Sequence, residues 1–100
     1  MAKKSHDWNA IANLQPPGPF SLTVTGMVPI HAGQTVELVP ANPQGINPTI
    51  FILDVVIHGR GAAPTEVEAK YRNPNYKDHY KQVTIREGSE STTIDIQTIV

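Results

Sequence analysis

The segment best suited to binding another molecule lies between residues 71 and 81, where all three tyrosines of the chain stand among cationic residues. Tyrosine and arginine are enriched in protein interfaces, because they combine a large contact area with a polar tip. We therefore predict a partner-binding loop in this segment. Its candidate contact residues are Tyr71, Arg72, Tyr76, Lys77, His79 and Tyr80. The alternative interpretation is a connection whose tyrosines only fill one end of the hydrophobic core.

Asp54 and His58 form a second candidate site, on one face of an apolar segment. Residues four apart on a strand are separated by about 13 Å, whereas each ligand of a zinc ion lies ~2 Å from the metal. A metal site would therefore need ligands from other strands. The pair leaves a small enzyme or metal-binding protein as the alternative function. A hydrogen-bonded structural aspartate is the simpler interpretation, because a covered carboxylate needs donors.

Sequence motifs give little support to catalysis. The chain has no cysteine, so thiolate metal sites and cysteine nucleophiles are excluded. No serine lies in a Gly-x-Ser-x-Gly pattern, and Gly59-Arg60-Gly61 is only a fragment of a nucleotide-binding pattern. We predict no catalytic residue, no metal ligand set and no cofactor, and the sequence argues against an enzyme without excluding one.

Charge and hydropathy restrict the partners. Eight Lys and Arg against nine Asp and Glu give a net charge of -1, which argues against binding to nucleic acid or to an anionic membrane. The longest apolar run, residues 50–57, is broken by Asp54 and is far shorter than the ~20 residues of a membrane span. Polar residues 5–9 follow the basic start, where a signal peptide would be apolar. These features predict a cytoplasmic protein that does not enter a membrane.

Alternation of apolar and polar residues predicts six strands. They cover about 20–25, 35–39, 49–58, 66–72, 82–86 and 91–100, separated by stretches rich in Pro, Gly and Asn. Residues 49–58 are apolar on both faces, which is typical of a central strand or of one covered from outside. Ile50, Ile52 and Val56 on its second face therefore need a cover.

The last two strands have a predictable register. If the loop runs from Glu87 to Glu90, the residue numbers of each cross-strand pair add up to 177. This register sets Val83 opposite Ile94 and Ile85 opposite Thr92. This arrangement places apolar residues together on one face.

Residues 1–19 differ from the rest and end in Gln15-Pro16-Pro17-Gly18-Pro19, which suits neither a helix interior nor a central strand. We predict an N-terminal arm over 1–19 and a domain over 20–100. Trp8, Ile11 and Leu14 recur at helical spacing and predict a short helix over 7–14. Either this arm or a second copy of the chain would cover the apolar stripe on the third predicted strand.

Short strands with Pro and Gly between them predict an all-β fold, a single small β-sandwich of immunoglobulin-like or Greek-key type with about six to seven strands. A small β-barrel is the alternative. The segments 16–19 and 43–48 resemble those of small bacterial β-sandwich proteins without an assigned role, over roughly residues 14–100. The resemblance supports the fold and transfers no functional residue. The function predicted is a non-catalytic interaction module that binds a protein or peptide partner, or itself as a homodimer.

Overall fold

The computed structural model describes residues 5–77 and 79–100, and this part of the chain consists of strands, turns and loops without a helix. No helix long and apolar enough to cross a membrane occurs in these residues. The seven strands are β1 His6–Asn13, β2 Ser21–His31, β3 Thr35–Pro40, β4 Ile50–His58, β5 Pro64–Asn73, β6 Gln82–Glu87 and β7 Glu90–Ile99.

The strands form one nearly closed, barrel-like sheet in the order β3-β4-β6-β7-β1-β2-β5. The pairs β4–β6 and β1–β7 are parallel, and the other neighbouring pairs are antiparallel. The all-β class is confirmed, and the seven strands lie within the predicted range of about six to seven, with β1 as the strand that the sequence pattern does not locate. Of the two architectures predicted, the structure has the barrel-like one.

Strand β7 connects the two halves of the sheet. Its first part pairs with β6, from Glu90 to Asp95, and its last part pairs with β1, from Ile96 to Ile99. A strand that changes partner along its length joins two halves of a sheet around a corner. The two halves therefore share one interior.

The predicted helix over residues 7–14 is wrong, because β1 occupies this segment and is hydrogen-bonded between β2 and β7. The inward side chains are Trp8, Ala10 and Ala12, at the period of two that a strand requires. Both alanines are buried. Because alanine is small, these buried positions contribute little to the apolar–polar alternation of β1. Ile11 is the more apolar residue in the sequence, although it lies on the other face.

The core has two adjoining clusters inside the barrel. The larger cluster includes Leu22, Val24, Phe51, Leu53, Val83 and Ile85, and the smaller consists of Val28, Ile30, Leu38 and Ala69. Trp8 packs against both. Its ring lies over Gly26, where any Cβ atom would overlap the indole. The sequence pattern predicts that β2 ends at this glycine, but the strand continues to His31. The absence of a side chain at Gly26 leaves space for the Trp8 ring.

The register of the last hairpin is confirmed. Val83 pairs with Ile94 and Ile85 with Thr92, as the sum of 177 requires. The turn itself consists of Gly88 and Ser89, with φ of 61° at the glycine. Glycine at the first central position is the signature of a type II′ turn, whose twist matches that of the paired strands.

The two ends of the barrel differ in their connections. We call one the turn end, formed by residues 32–34, 59–63 and 88–89. The other is the loop end, formed by residues 14–20, 41–49 and 74–81. The loop end has the longer connections. It also contains six of the nine prolines, and the other three are Pro29, Pro40 and Pro64.

The N-terminal segment does not cover the apolar stripe of β4, since Trp8 lies inside the barrel and Leu14 packs against the larger core cluster. Instead, Gln44 folds back onto the strand. Its side-chain oxygen accepts a hydrogen bond from the Ile52 amide at 2.8 Å, and its Nε2 donates to the Ile52 carbonyl at 3.0 Å. The glutamine amide thus replaces a neighbouring strand where β3 has ended. Self-association through this face stays a prediction.

Candidate functional site

The three tyrosines of the predicted binding loop form an aromatic cluster with Phe51 at the loop end. The ring centroid of Phe51 lies 5.4 Å from that of Tyr71 and 5.0 Å from that of Tyr80. The ring centroids of Tyr76 and Tyr80 are 6.2 Å apart. Contacts of this kind stabilise beyond the area that they bury, so the cluster closes the loop end of the barrel.

Tyr76 holds the loop in place. Only 4% of this residue is exposed, and its hydroxyl accepts a hydrogen bond from the backbone amide of Tyr80 at 2.9 Å. Its own amide donates to the carbonyl of Phe20 at 3.0 Å, which ties the loop to residues 14–20. Tyr76 is thus a buried member of the larger core cluster. Tyr71 and Tyr80 are half-buried in the same cluster.

The other three predicted contact residues, Arg72, Lys77 and His79, are exposed. Arg72 lies on β5 opposite Thr23 of β2, and Lys77 directly follows the buried Tyr76. The structure therefore divides the six predicted residues into three tyrosines that pack in the aromatic cluster and three exposed polar residues. Asp78, in the same loop, lies outside the described residues.

Apolar side chains are also exposed at the loop end. Phe20, whose carbonyl binds the Tyr76 amide, is 40% exposed. Ile46 is fully exposed in the connection before β4, and Ile99 is exposed at the end of β7. Sequence reasoning missed all three as surface residues. For Phe20 a signal was available, since it directly follows the Pro-rich segment and the strand begins only at Ser21.

The second predicted site does not form a metal centre in the described residues. Asp54 makes two hydrogen bonds with Arg86 on the adjacent strand, at 2.6 Å from Nε and 3.0 Å from Nη2. The guanidinium lowers the pKa of this carboxyl below its ordinary value. His58 lies instead 3.3 Å from Glu37. Residues 5–77 and 79–100 contain no group of three His, Asp or Glu placed to hold a metal.

The glycines of the turn end have structural roles. Gly61 packs so closely on His31 that a Cβ atom would overlap the histidine backbone. Gln34 closes the same turn by accepting from the His31 amide at 2.7 Å and donating to the Gly59 carbonyl at 3.1 Å. The Gly59-Arg60-Gly61 pattern is thus explained by backbone packing.

A polar cavity of about 310 Å³ opens near the turn end. It is lined by Ser5, Ile85, Glu87, Glu90, Ser91 and Thr92. The Ser5 hydroxyl donates to Glu87 at 2.6 Å and accepts from the Trp8 indole at 3.1 Å. These two hydrogen bonds link the residue before β1 to the end of β6. No sequence pattern predicts this link.

His6 connects β1 to β5 at the same end. Its Nε2 lies 2.7 Å from Glu66, and its Nδ1 lies 3.0 Å from Asp7. The hydrogen bond with Glu66, followed by that with Asp7, raises the pKa of His6 above 6.5. Asp7 has a φ of 57° beside a bulge in the β1–β2 ladder, which turns its carboxylate toward the imidazole ring.

Comparisons of this chain with protein-family models, with curated proteins and with solved structures found no match.

Proposed function

We propose that this chain is a non-catalytic interaction module that binds a protein or peptide partner through the loop end of its barrel. Loops placed on a rigid sheet are the usual location of binding residues, because they vary without disturbing the core. The aromatic cluster of Phe51, Tyr71, Tyr76 and Tyr80 provides such a support, and the loops above it present the exposed residues.

One observation carries the proposal. Among the described residues, the loop end has the larger share of exposed apolar side chains and of exposed cations without an ion pair. It has Phe20, Ile46 and Ile99 together with Arg72, Lys77 and Lys81, whereas the turn end has Ile57 and Arg60. Elsewhere Glu37, Asp54 and Glu66 each face a basic side chain. Apolar residues flanked by polar ones are typical of interaction surfaces. At the turn end, by contrast, Ser5, His6 and Gln34 form hydrogen bonds within the chain.

Site-specific photo-crosslinking tests this proposal. A benzophenone amino acid replaces His79, which is exposed at the loop end, or Arg60, which is exposed at the turn end. Both proteins are expressed in the native host and irradiated, and the adducts are identified by mass spectrometry. We expect the His79 position to yield one dominant adduct and the Arg60 position to yield none of it.

The mass of the adduct also reports on self-association, because a product of twice the chain mass identifies a second copy as the partner. Equal adducts at both positions would mean that the loop end has no special role. The same benzophenone amino acid in place of Phe20 gives a second probe at the loop end. The absence of any adduct at both His79 and Phe20 would contradict the proposal.

A further inference from the structure

The cations of this chain are concentrated in one segment. Residues 70–81 contain four of the eight Lys and Arg residues but only one of the nine Asp and Glu residues, Asp78. The near-neutral net charge therefore hides a local excess of positive charge. The four cations are Lys70, Arg72, Lys77 and Lys81, all exposed at or next to the loop end.

None of these four side chains has an ion pair within the described residues. Elsewhere Arg86 pairs with Asp54, and Glu66 pairs with His6. These four side chains, which we call the cationic surface, therefore retain their attraction for a negatively charged group, since no carboxylate of residues 5–77 and 79–100 pairs with them.

The spacing of the cations fits an extended chain. Lys70 and Arg72 are two residues apart on the outer face of β5, which separates them by about 6.6–7 Å. Carboxylates at alternate positions of an extended peptide have the same spacing. Phe20 lies at the same end, since its carbonyl binds the loop at Tyr76, and offers an apolar contact beside the charges.

From this charge complementarity we infer that the partner is a protein segment rich in Asp or Glu at alternate positions, which docks along Lys70, Arg72 and Lys77 with an apolar residue against Phe20. The inference rests on the proposed function and specifies the chemistry of its partner. Single-stranded nucleic acid fits less well, because it needs exposed aromatic faces. In this loop Tyr76 is buried, and Tyr71 and Tyr80 pack against Phe51.

The test uses the full chain and a fluorescein-labelled synthetic peptide with glutamate at alternate positions, serine between them and one central phenylalanine. Two further peptides carry glutamine or lysine in place of glutamate. Fluorescence anisotropy measures their affinities at about 50 mM and about 300 mM salt, because screening weakens exposed charge contacts. We expect the glutamate peptide to bind about tenfold or more tightly than either of the others, with a loss at high salt.

Two variants locate the site. The double substitution R72E and K77E should abolish binding of the glutamate peptide, whereas R60E, which removes an exposed cation at the turn end, should leave the affinity within about twofold. Circular dichroism and urea unfolding show whether both variants are folded. If R72E with K77E is unstable, the milder pair R72Q and K77Q replaces it.

Each outcome is decisive. Equal affinity for the glutamate and glutamine peptides, no binding up to about 1 mM, or equal loss in R60E would overturn the inference. Tighter binding of an oligothymidine of the same charge would assign the cations to nucleic acid and also overturn it. In each of these cases, a dominant photo-adduct at His79 would still support the proposed function. A failure of the inference about the acidic partner can therefore be distinguished from a failure of the proposed function.

Discussion

The turn end and the loop end of the barrel hold the connections between their strands in different ways. At the turn end, connections of a few residues are fixed by glycines and by local hydrogen bonds, such as those of Gln34 with His31 and Gly59. At the loop end, the longer connection between β5 and β6 is supported by an aromatic cluster, while Lys77 and His79 in the same connection are exposed. Residues that the fold itself does not explain are therefore the better guide to function.

Replacing Tyr76 with alanine should have the largest effect, since it removes the buried ring that supports the loop end. We expect a loss of about 3–5 kcal/mol in the free energy of unfolding, measured by urea denaturation. Y76F should cost only about 1 kcal/mol, the value of one hydrogen bond. H79A should change stability by less than about 0.5 kcal/mol. Similar effects of Y76A and H79A would show that the loop has no internal division between support and surface.

Gly61 tests the tightness of the turn end. G61A introduces a methyl group that overlaps the backbone of His31, so we expect a loss of about 1–3 kcal/mol in thermal or urea unfolding. The matched control is G45A, at an exposed glycine without positive φ where a Cβ atom would meet only the flexible end of the Ile52 side chain. The control should cost less than about 0.5 kcal/mol. A neutral G61A would mean that the turn is looser than the structure indicates.

His6 links pH to the turn end. Because hydrogen bonds with Glu66 and Asp7 raise its pKa above 6.5, its stabilising contribution is fully present below pH 6.5. The contribution is lost as the pH rises through the pKa of the folded state. An NMR titration should give a pKa above 6.5 in the native protein and a lower one in E66Q. E37Q, which alters the partner of His58, should leave the titration of His6 unchanged, and a shift there would contradict this assignment.

The smallest effects concern the cations themselves. R72A and K77A should each change the free energy of unfolding by less than about 0.5 kcal/mol, since neither side chain has an ion pair in the described residues. R86A removes the exposed pair with Asp54 and should cost slightly more, about 0.2–1 kcal/mol. A marked loss of stability in R72A or K77A would give these residues a role in folding and weaken the proposal that they are kept for binding.

Much of the fold is predictable from the sequence, and the exceptions have physical causes. Alternating residues mark β2 to β7, and turn geometry gives the register of the β6–β7 hairpin, because both depend on local patterns. The sequence predicts a helix in place of β1 because the buried positions of this strand are alanines, which contribute little to a hydrophobic pattern. The parallel pairing of β1 with β7 joins distant parts of the chain, and no local pattern specifies such a contact.

Only part of the candidate site is predictable in the same way. The sequence places tyrosines and cations in one segment, yet only packing against Phe51 separates those that support the loop from those that face outward. The hydrogen-bonded state expected of Asp54 is present in the structure. Its partner, Arg86, lies 32 positions away and becomes adjacent only through the β4–β6 ladder.

Residue-resolved NMR during addition of the glutamate-containing peptide tests most directly whether the loop end is the binding surface. If it is, the amide signals that shift belong to residues 14–20 and 70–81, and the signals of residues 32–34, 59–63 and 88–89 stay unchanged. R72E with K77E should remove the shifts at the loop end. Shifts confined to the turn end, or spread evenly over both ends, would contradict the assignment of binding to the loop end.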